Sequence, residues 1–182
     1  MTGPKAPGQN DDPSMPFVYL NITDTLARLT DKHTGTIMYA YEKYIKDFDW
    51  FLYANDDTYI AVENLRLFLV DKCPTEKTLY GKVMIYAPPQ KAAYTSGDNN
   101  RGFIQGGSGW LASREAIRLF AEGMKKDPNF CVCRNGAIED QEVSDCYRKV
   151  NVYPGESRDA ENRESSRCFC LHCSILILEH QS

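Results

Sequence analysis

Three short clusters carry residues whose types and spacing could do chemistry. The first is Asn55-Asp56-Asp57, inside "DWFLYANDDTYIAVENL" (49–65), where six mostly apolar residues run straight into two adjacent carboxylates. Neighbouring carboxylates repel one another and stay ionised at low cost only in water or beside a cation. Their hard oxygens suit Mg²⁺ or Mn²⁺, and such an ion can bridge to a diphosphate. The other reading is that Asp-Asp-Thr caps the helix that follows. The second cluster is "IQGGSGWLAS" (104–113). Gly106, Gly107 and Gly109 permit positive φ or close backbone approach, and Trp110 offers a flat face to a sugar ring. A tight bend between two strands, with Trp110 in the core, explains the same residues. The third is Glu139-Asp140 at the start of a helical pattern. A carboxylate there can act as general base toward a hydroxyl, or can simply complement the helix dipole.

These clusters need elements to position them. "PFVYLNI" (16–22) reads as a strand, and Ile37, Met38, Tyr41, Tyr44, Ile45 and Phe48 follow at helical spacing. "DWFLYA" (49–54) reads as a buried strand, Val62, Leu65, Leu69 and Val70 mark a second helix, and "TLYGKVM" (78–84) is a further strand. Ser113 is placed to cap a helix with Glu115 in its first turn and Ile117, Leu119 and Phe120 as its apolar residues. A last helix covers 137–150. Strands alternating with helices predict an α/β layered sheet with helices on its faces. In such sheets ligands lie beyond the carboxyl ends of strands, which is where Asn55, Asp56 and Asp57 fall. No internal repeat is present.

The 182 residues, 42% hydrophobic and 25% charged, suffice for one globular domain with a real core. A net charge of -4 provides no basic surface for nucleic acid, so a polyanionic partner needs a metal between it and the protein. No run reaches the eighteen or more apolar residues of a membrane span, and residues 1–15 lack the apolar centre of a signal peptide. The residues alone therefore predict a soluble domain. Seven cysteines nonetheless point to an oxidising compartment. Cys131, Cys133 and Cys146 surround one segment, and the expectation is a disulfide from Cys146 to Cys131 or Cys133 that closes a loop of roughly 15 residues. Cys168, Cys170, Cys173 and His172 are ligand types suited to zinc, but their spacing fits none of the usual paired knuckles. Asn21-Ile22-Thr23 is a glycosylation sequon. After Glu164 the text "SSRCFCLHCSILILEHQS" neither continues the pattern nor closes it.

The order of the clusters is more specific than any one of them. A strand ending in "NDD", a glycine-rich turn with an aromatic, and "IED" opening a helix resemble the core 1 β1,3-galactosyltransferases (glycoprotein-N-acetylgalactosamine 3-β-galactosyltransferases), which belong with the Fringe-like transferases. The blocks "LNIT", "YEKYIKDFDWFLYANDDTYIAVENLR", "GGSGWLASREAIRLF", "IED" and "VYPGESRD" stand in the family's order, from 17 to 164. The resemblance implies a GT-A-type fold. It implies an irregular segment 1–16, a catalytic core 17–164 and an unrelated cysteine-rich tail 165–182.

The implied reaction moves galactose from UDP-galactose to the 3-hydroxyl of serine- or threonine-linked N-acetylgalactosamine, with inversion and with Mn²⁺. By the same resemblance Asp57, with Asp56 beside it, is the metal ligand; Asp140 is the base and Glu139 its support. Asn55, Asp56, Gly106, Gly107 and Trp110 line the nucleotide sugar. The partners implied are UDP-galactose, a GalNAc-bearing glycoprotein and a second copy of the chain, on the lumenal side of the Golgi membrane. Two departures stand out. Asn55 replaces an aspartate usual in the family, and the family's segment before Phe17 and its part beyond Glu164 are not seen. The latter carries a metal-completing histidine, a role that neither His172 nor His180 takes, so an incomplete member is expected. The alternatives are a non-catalytic, chaperone-like relative and a Fringe-like β1,3-N-acetylglucosaminyltransferase.

Overall fold

The computed structural model describes residues 5, 17–23, 25–55, 57–85, 102–132, 138–157 and 175–180. The N-terminal segment does not form the expected strand: Tyr19 makes an isolated bridge and no ladder extends from it. A 3-10 turn at Leu26–Arg28 leads into helix α1, Leu29–Tyr44. This helix starts two turns earlier than its apolar stripe, because its first half buries polar side chains, among them Thr30, His33 and Thr36.

Strand β1, Trp50–Asn55, shows how the sheet is covered. Successive side chains point to opposite faces. Phe51 and Tyr53 enter a core with Ile37 of α1, Ile117 and Phe120 of α3 (Arg114–Lys126) and Val143 and Tyr147 of α4 (Glu139–Arg148). Trp50 and Leu52 enter a smaller core with Phe68 of α2 (Val62–Phe68) and the adjoining Leu69. Helices therefore lie on both faces. Each fully buried Phe or Ile contributes roughly 1.5–3 kcal/mol relative to exposure, so the three-helix face holds most of the hydrophobic stabilisation. Helix α3 is anchored at its start, where the Ser113 hydroxyl accepts the Ala116 N–H at 3.1 Å and donates to the Glu76 carbonyl at 2.5 Å.

"TLYGKVM" is two strands. Strand β2, Thr78–Gly81, stays in the main sheet, whereas β3, Val83–Ile85, pairs with β4, Gly102–Ile104, in a separate hairpin. The main sheet has the order β6-β2-β5-β1-β7, with β5 at Trp110–Ser113, β6 at Tyr153–Pro154 and β7 at Ile175–His180. Strand β5 is antiparallel to β1 and β2, while β7 is parallel to β1 and β6 to β2. The carboxyl ends of β1 and β2 and the start of β5 consequently share one end of the sheet. The end of the chain, which local pattern left without a place, supplies β7, in register with β1 from Trp50↔Ile175 to Asn55↔His180. A disulfide joins Cys131 to Cys146 and ties the segment after α3 to α4. Cys133 and the Cys168–Cys173 cluster lie outside the described residues, and Cys73 is exposed and free. Among the described residues no helix is long and apolar enough to cross a membrane.

Candidate active site at the carboxyl end of the central strand

Strand β1 delivers Asn55 to the open end of the sheet, where the Thr58 N–H bonds back to the Asn55 carbonyl at 3.1 Å. Asp57 lies in this turn and is exposed; Asp56 is outside the described residues. The turn does not cap α2. That helix begins only at Val62, its N-cap is Ala61, and no side chain accepts a cap hydrogen bond there. The capping alternative thus fails because Thr58–Ala61 separate Asp57 from the helix. Instead the Thr58 hydroxyl donates to the Gly107 carbonyl at 3.2 Å, which attaches the acidic turn to the glycine cluster.

The glycine cluster forms a 3-10 turn, Gly106–Ser108, closed by the Gly109 N–H on the Gly106 carbonyl at 2.8 Å. Gly109 has φ +75°, and a Cβ there would meet Ile60 at 3.2 Å and the Tyr53 carbonyl at 3.4 Å. Left-handed backbone and close approach to β1 both require glycine at this position. Gly106 is needed for a different reason: a Cβ would stand 2.5 Å from Asp140 Oδ1. Gly107 is exposed, and a Cβ there would have Asn55 Nδ2 as its nearest neighbour, at 4.0 Å.

Glu139 and Asp140 open α4 and hydrogen bond to one another, and the Gly106 N–H donates to the Asp140 carboxylate. Burial, then the hydrogen bond and charge of Glu139, push the Asp140 carboxyl up to about 7, although the Gly106 N–H and His33 act in the opposite direction. Burial also raises Glu139, with the charge of Glu142 adding to it. Two carboxyls in contact share a proton at neutral pH, because both ionising together leaves two like charges in a poorly solvated place.

Beneath the pair lies His33 of α1, a residue that the sequence reasoning missed. Its Nδ1 bonds the Glu139 carboxylate, and its ring stacks on Tyr53 at 4.0 Å and on Trp110 at 4.9 Å. His33 is 1% exposed, and burial drives its pKa down to about 3, so the ring is neutral. One turn earlier the Thr30 hydroxyl donates to Glu142 at 2.5 Å. A signal existed for both: the apolar stripe Ile37, Ala40, Tyr41, Tyr44, continued backward at helical spacing, arrives at His33 and Thr30. Trp110 is 5% exposed and stacks against the Tyr53–His33 pair, so the ring is in the core below the carboxyl pair. Asn21 is exposed.

On the α2 side of the sheet the same glycine turn borders a groove of about 530 Å³, lined by Tyr59, Asn64, Tyr80, Lys82, Ser108 and Gly109 among others. Among the described residues no group of three or more His, Cys, Asp or Glu side chains converges to hold a metal ion. Asp57 and the Glu139–Asp140 pair are therefore separate acidic positions flanking one turn.

Residues 18–146 match the family model described as Fringe-like. Glycoprotein-N-acetylgalactosamine 3-beta-galactosyltransferase 1 of Xenopus laevis is 30% identical over 159 residues, 87% of this chain and 40% of that protein. Chondroitin sulfate synthase 3 of Mus musculus is 27% identical over 142 residues, 75% of this chain and 15% of that protein, and that of Homo sapiens gives the same figures. The chain spans two fifths or less of the length of these curated relatives. The family match begins at residue 18, ahead of the 3-10 turn and α1, and runs into the last turn of α4, taking in the acidic strand end, the glycine turn and the carboxyl pair together. The chain belongs to the Fringe-like family of glycosyltransferases.

Proposed function

We propose that this domain transfers galactose from UDP-galactose to the 3-hydroxyl of serine- or threonine-linked N-acetylgalactosamine, with inversion at the anomeric carbon. The observation that carries the reading is the placement of Asp140: a half-buried carboxyl held by the Gly106 N–H at the open end of the sheet, pushed up to about 7 by burial and by Glu139 beside it. A general base works best when its pKa lies near the working pH. Asp140 takes the proton of the attacking hydroxyl, and Glu139 holds Asp140 in place. The activity named for the Xenopus laevis relative supports the choice of donor and acceptor.

Asp57 and Asp56 would hold Mn²⁺. The donor set fits such an ion, since an exposed oxygen ligand at a strand end suits a cation that takes one or two carboxylates from protein and the rest from substrate phosphates and water. When bound, the ion supplies charge neutralisation on the departing diphosphate. Asn55, Gly106 and Gly107 form the near wall of the nucleotide sugar, and Trp110 backs that wall from within. The groove with Tyr59 and Tyr80 offers aromatic faces to a sugar ring. The catalytic unit is 17–164, and a second copy of the chain is its partner in a homodimer. The Cys131–Cys146 bridge favours an oxidising compartment, in keeping with the Golgi lumen, where Asn21 would carry a glycan.

The test offers a GalNAc-bearing peptide with UDP-galactose, UDP-N-acetylglucosamine and UDP-glucuronic acid in parallel, with and without Mn²⁺. Galactose transfer that requires Mn²⁺, and that falls by about 10²–10⁴-fold in Asp140→Asn, is the expected result. Transfer of another sugar, or an Asp140→Asn variant at the unaltered rate, would overturn the reading.

A further inference from the structure

His33 is not used by the transfer step, yet it is buried against the carboxyl pair with only its Nδ1 partnered. Nδ1 faces the Glu139 carboxyl, and an ionised carboxylate there would accept a hydrogen carried on Nδ1. A neutral imidazole has one such hydrogen, which leaves Nε2 bare. Among the described residues Nε2 has no hydrogen-bond partner, and neither has the Tyr147 hydroxyl. Both residues are buried to 1% exposure, and both line a cavity of about 10 Å³ shared with Trp110, Asp140 and Ser144. That volume is on the scale of a single water, and in a wall made largely of Leu79, Ile104, Val143 and Trp110 the unpartnered polar atoms that would hold one are His33 Nε2 and the Tyr147 hydroxyl. Such a water would accept from the Tyr147 hydroxyl and donate to His33 Nε2. The ring is buried to 1% exposure and stacks on Tyr53 at 4.0 Å, which holds its orientation.

We propose that His33 is a positioning residue that decides which carboxyl of the Glu139–Asp140 pair carries their shared proton, by donating Nδ1–H to Glu139 while one buried water joins Nε2 to Tyr147. Two carboxyls in contact are chemically near-equivalent. A donor committed to one of them favours its ionised form, so the shared proton stays on the other. Here Glu139 is kept ionised, and the last proton to leave is that of Asp140, the member that meets Gly106 at the open end. The titratable groups facing His33 are Glu139, Asp140 and Tyr147 from α4 and Tyr53 from β1, with Glu142 engaged by Thr30 one turn away. None of these is a cation. Burial keeps His33 from becoming one, so it acts only by orienting a hydrogen.

This assignment deepens the transfer reading and rests on it for the use of the proton, but its test needs no turnover. The full chain, labelled with ¹⁵N in histidine and ¹³C in the carboxyls of Asp and Glu, is titrated by NMR, alone and as His33→Ala and His33→Asn. The asparagine amide offers an N–H close to where Nδ1 stood. We expect the unaltered chain to hold His33 in the Nδ1–H tautomer without titrating between pH 5 and 8, and Asp140 to titrate near 7. In His33→Ala the proton affinity of Asp140 should fall about tenfold as that of Glu139 rises, and His33→Asn should restore most of the difference. An Nε2–H tautomer in the unaltered chain overturns the proposal whether or not the variants fold. So does an unmoved Asp140 titration in a folded His33→Ala, or an asparagine variant that behaves as the alanine one. Absence of sugar transfer with these titrations as expected counts against the function reading and leaves the role of His33 standing.

Discussion

Gly106→Ala tests whether the glycine turn sets the position of the base. An ideal Cβ at Gly106 lies 2.5 Å from Asp140 Oδ1 and 3.4 Å from Asp140 Cγ. Ordinary van der Waals contact begins near 3.4 Å, so the carboxylate oxygen has to retreat by about 0.9 Å. Misplacing a reacting group by about 1 Å costs on the order of 100-fold in rate. That corresponds to about 2.7 kcal/mol of barrier, at about 1.36 kcal/mol per tenfold. The backbone itself is not the obstacle, because among the described glycines only Gly109 has positive φ. Gly107→Ala is the comparison in the same turn: its added methyl meets no protein atom closer than 4.0 Å, so Asp140 stays in place, and any effect on the donor wall should fall on the KM for UDP-galactose rather than on the rate at saturation. Initial rates of galactose transfer at saturating donor and acceptor, beside thermal melts of each variant, decide the matter. The reasoning is refuted if Gly106→Ala stays within about threefold of the unaltered chain, or if Gly107→Ala loses as much.

Further outcomes follow from the same geometry. Replacing Cys131 and Cys146 by serine opens a loop with a sequence separation of 15 and should cost about 3 kcal/mol, read from urea unfolding. Ser113→Ala removes the cap on Ala116 N–H and the bond to the Glu76 carbonyl, at about 1 kcal/mol by the same measurement. The Asp140 carboxyl is raised from 3.8 to about 7, so its contribution to stability is present at acid pH and is lost as pH rises through 7. Asp140→Asn should therefore gain melting temperature over the unaltered chain between pH 5 and 8. His33 has the opposite sign: lowered from 6.5 to about 3, it weakens the fold as pH falls through that window, and His33→Asn should flatten the acid limb of the melting curve. Calorimetry should find that Mn²⁺ and UDP bind the unaltered chain together more tightly than either alone, and that Asp57→Ala loses the mutual gain.

Elements whose signals are local were legible in the sequence. Strand β1 announces itself by an apolar run that ends in acid, and α3 by Ser113 followed by Glu115, Ile117 and Phe120; both stand where pattern put them. The candidate site was legible as an order of clusters, but its lower half was not. Thr30 and His33 are polar residues on the inward face of α1, and a search for apolar spacing stops at Ile37. Their burial depends on partners on α4, more than 100 positions away, a contact that no local pattern encodes. "TLYGKVM" reads as one strand because nothing in its own residues shows that Gly81 must make room for Ile104 and Gly109, after which the chain changes sheet. The same holds for β7, whose apolar run has meaning only beside β1.

That pairing also has a consequence in time. Trp50 is matched with Ile175, 125 residues later in the chain. A ribosome adding about 5–20 residues per second needs roughly 6–25 s to cover that distance. Throughout that interval β1 has β5 on one side at most, and its other side presents a row of unpaired N–H and C=O groups flanked by Trp50, Phe51 and Leu52. An apolar edge of this kind accepts whatever strand arrives first, including one from a neighbouring nascent chain. The strand that carries the acidic turn is thus the last to be closed during synthesis, and any factor that shields apolar strands in the compartment of synthesis would raise the yield of folded protein more than it would change the finished molecule.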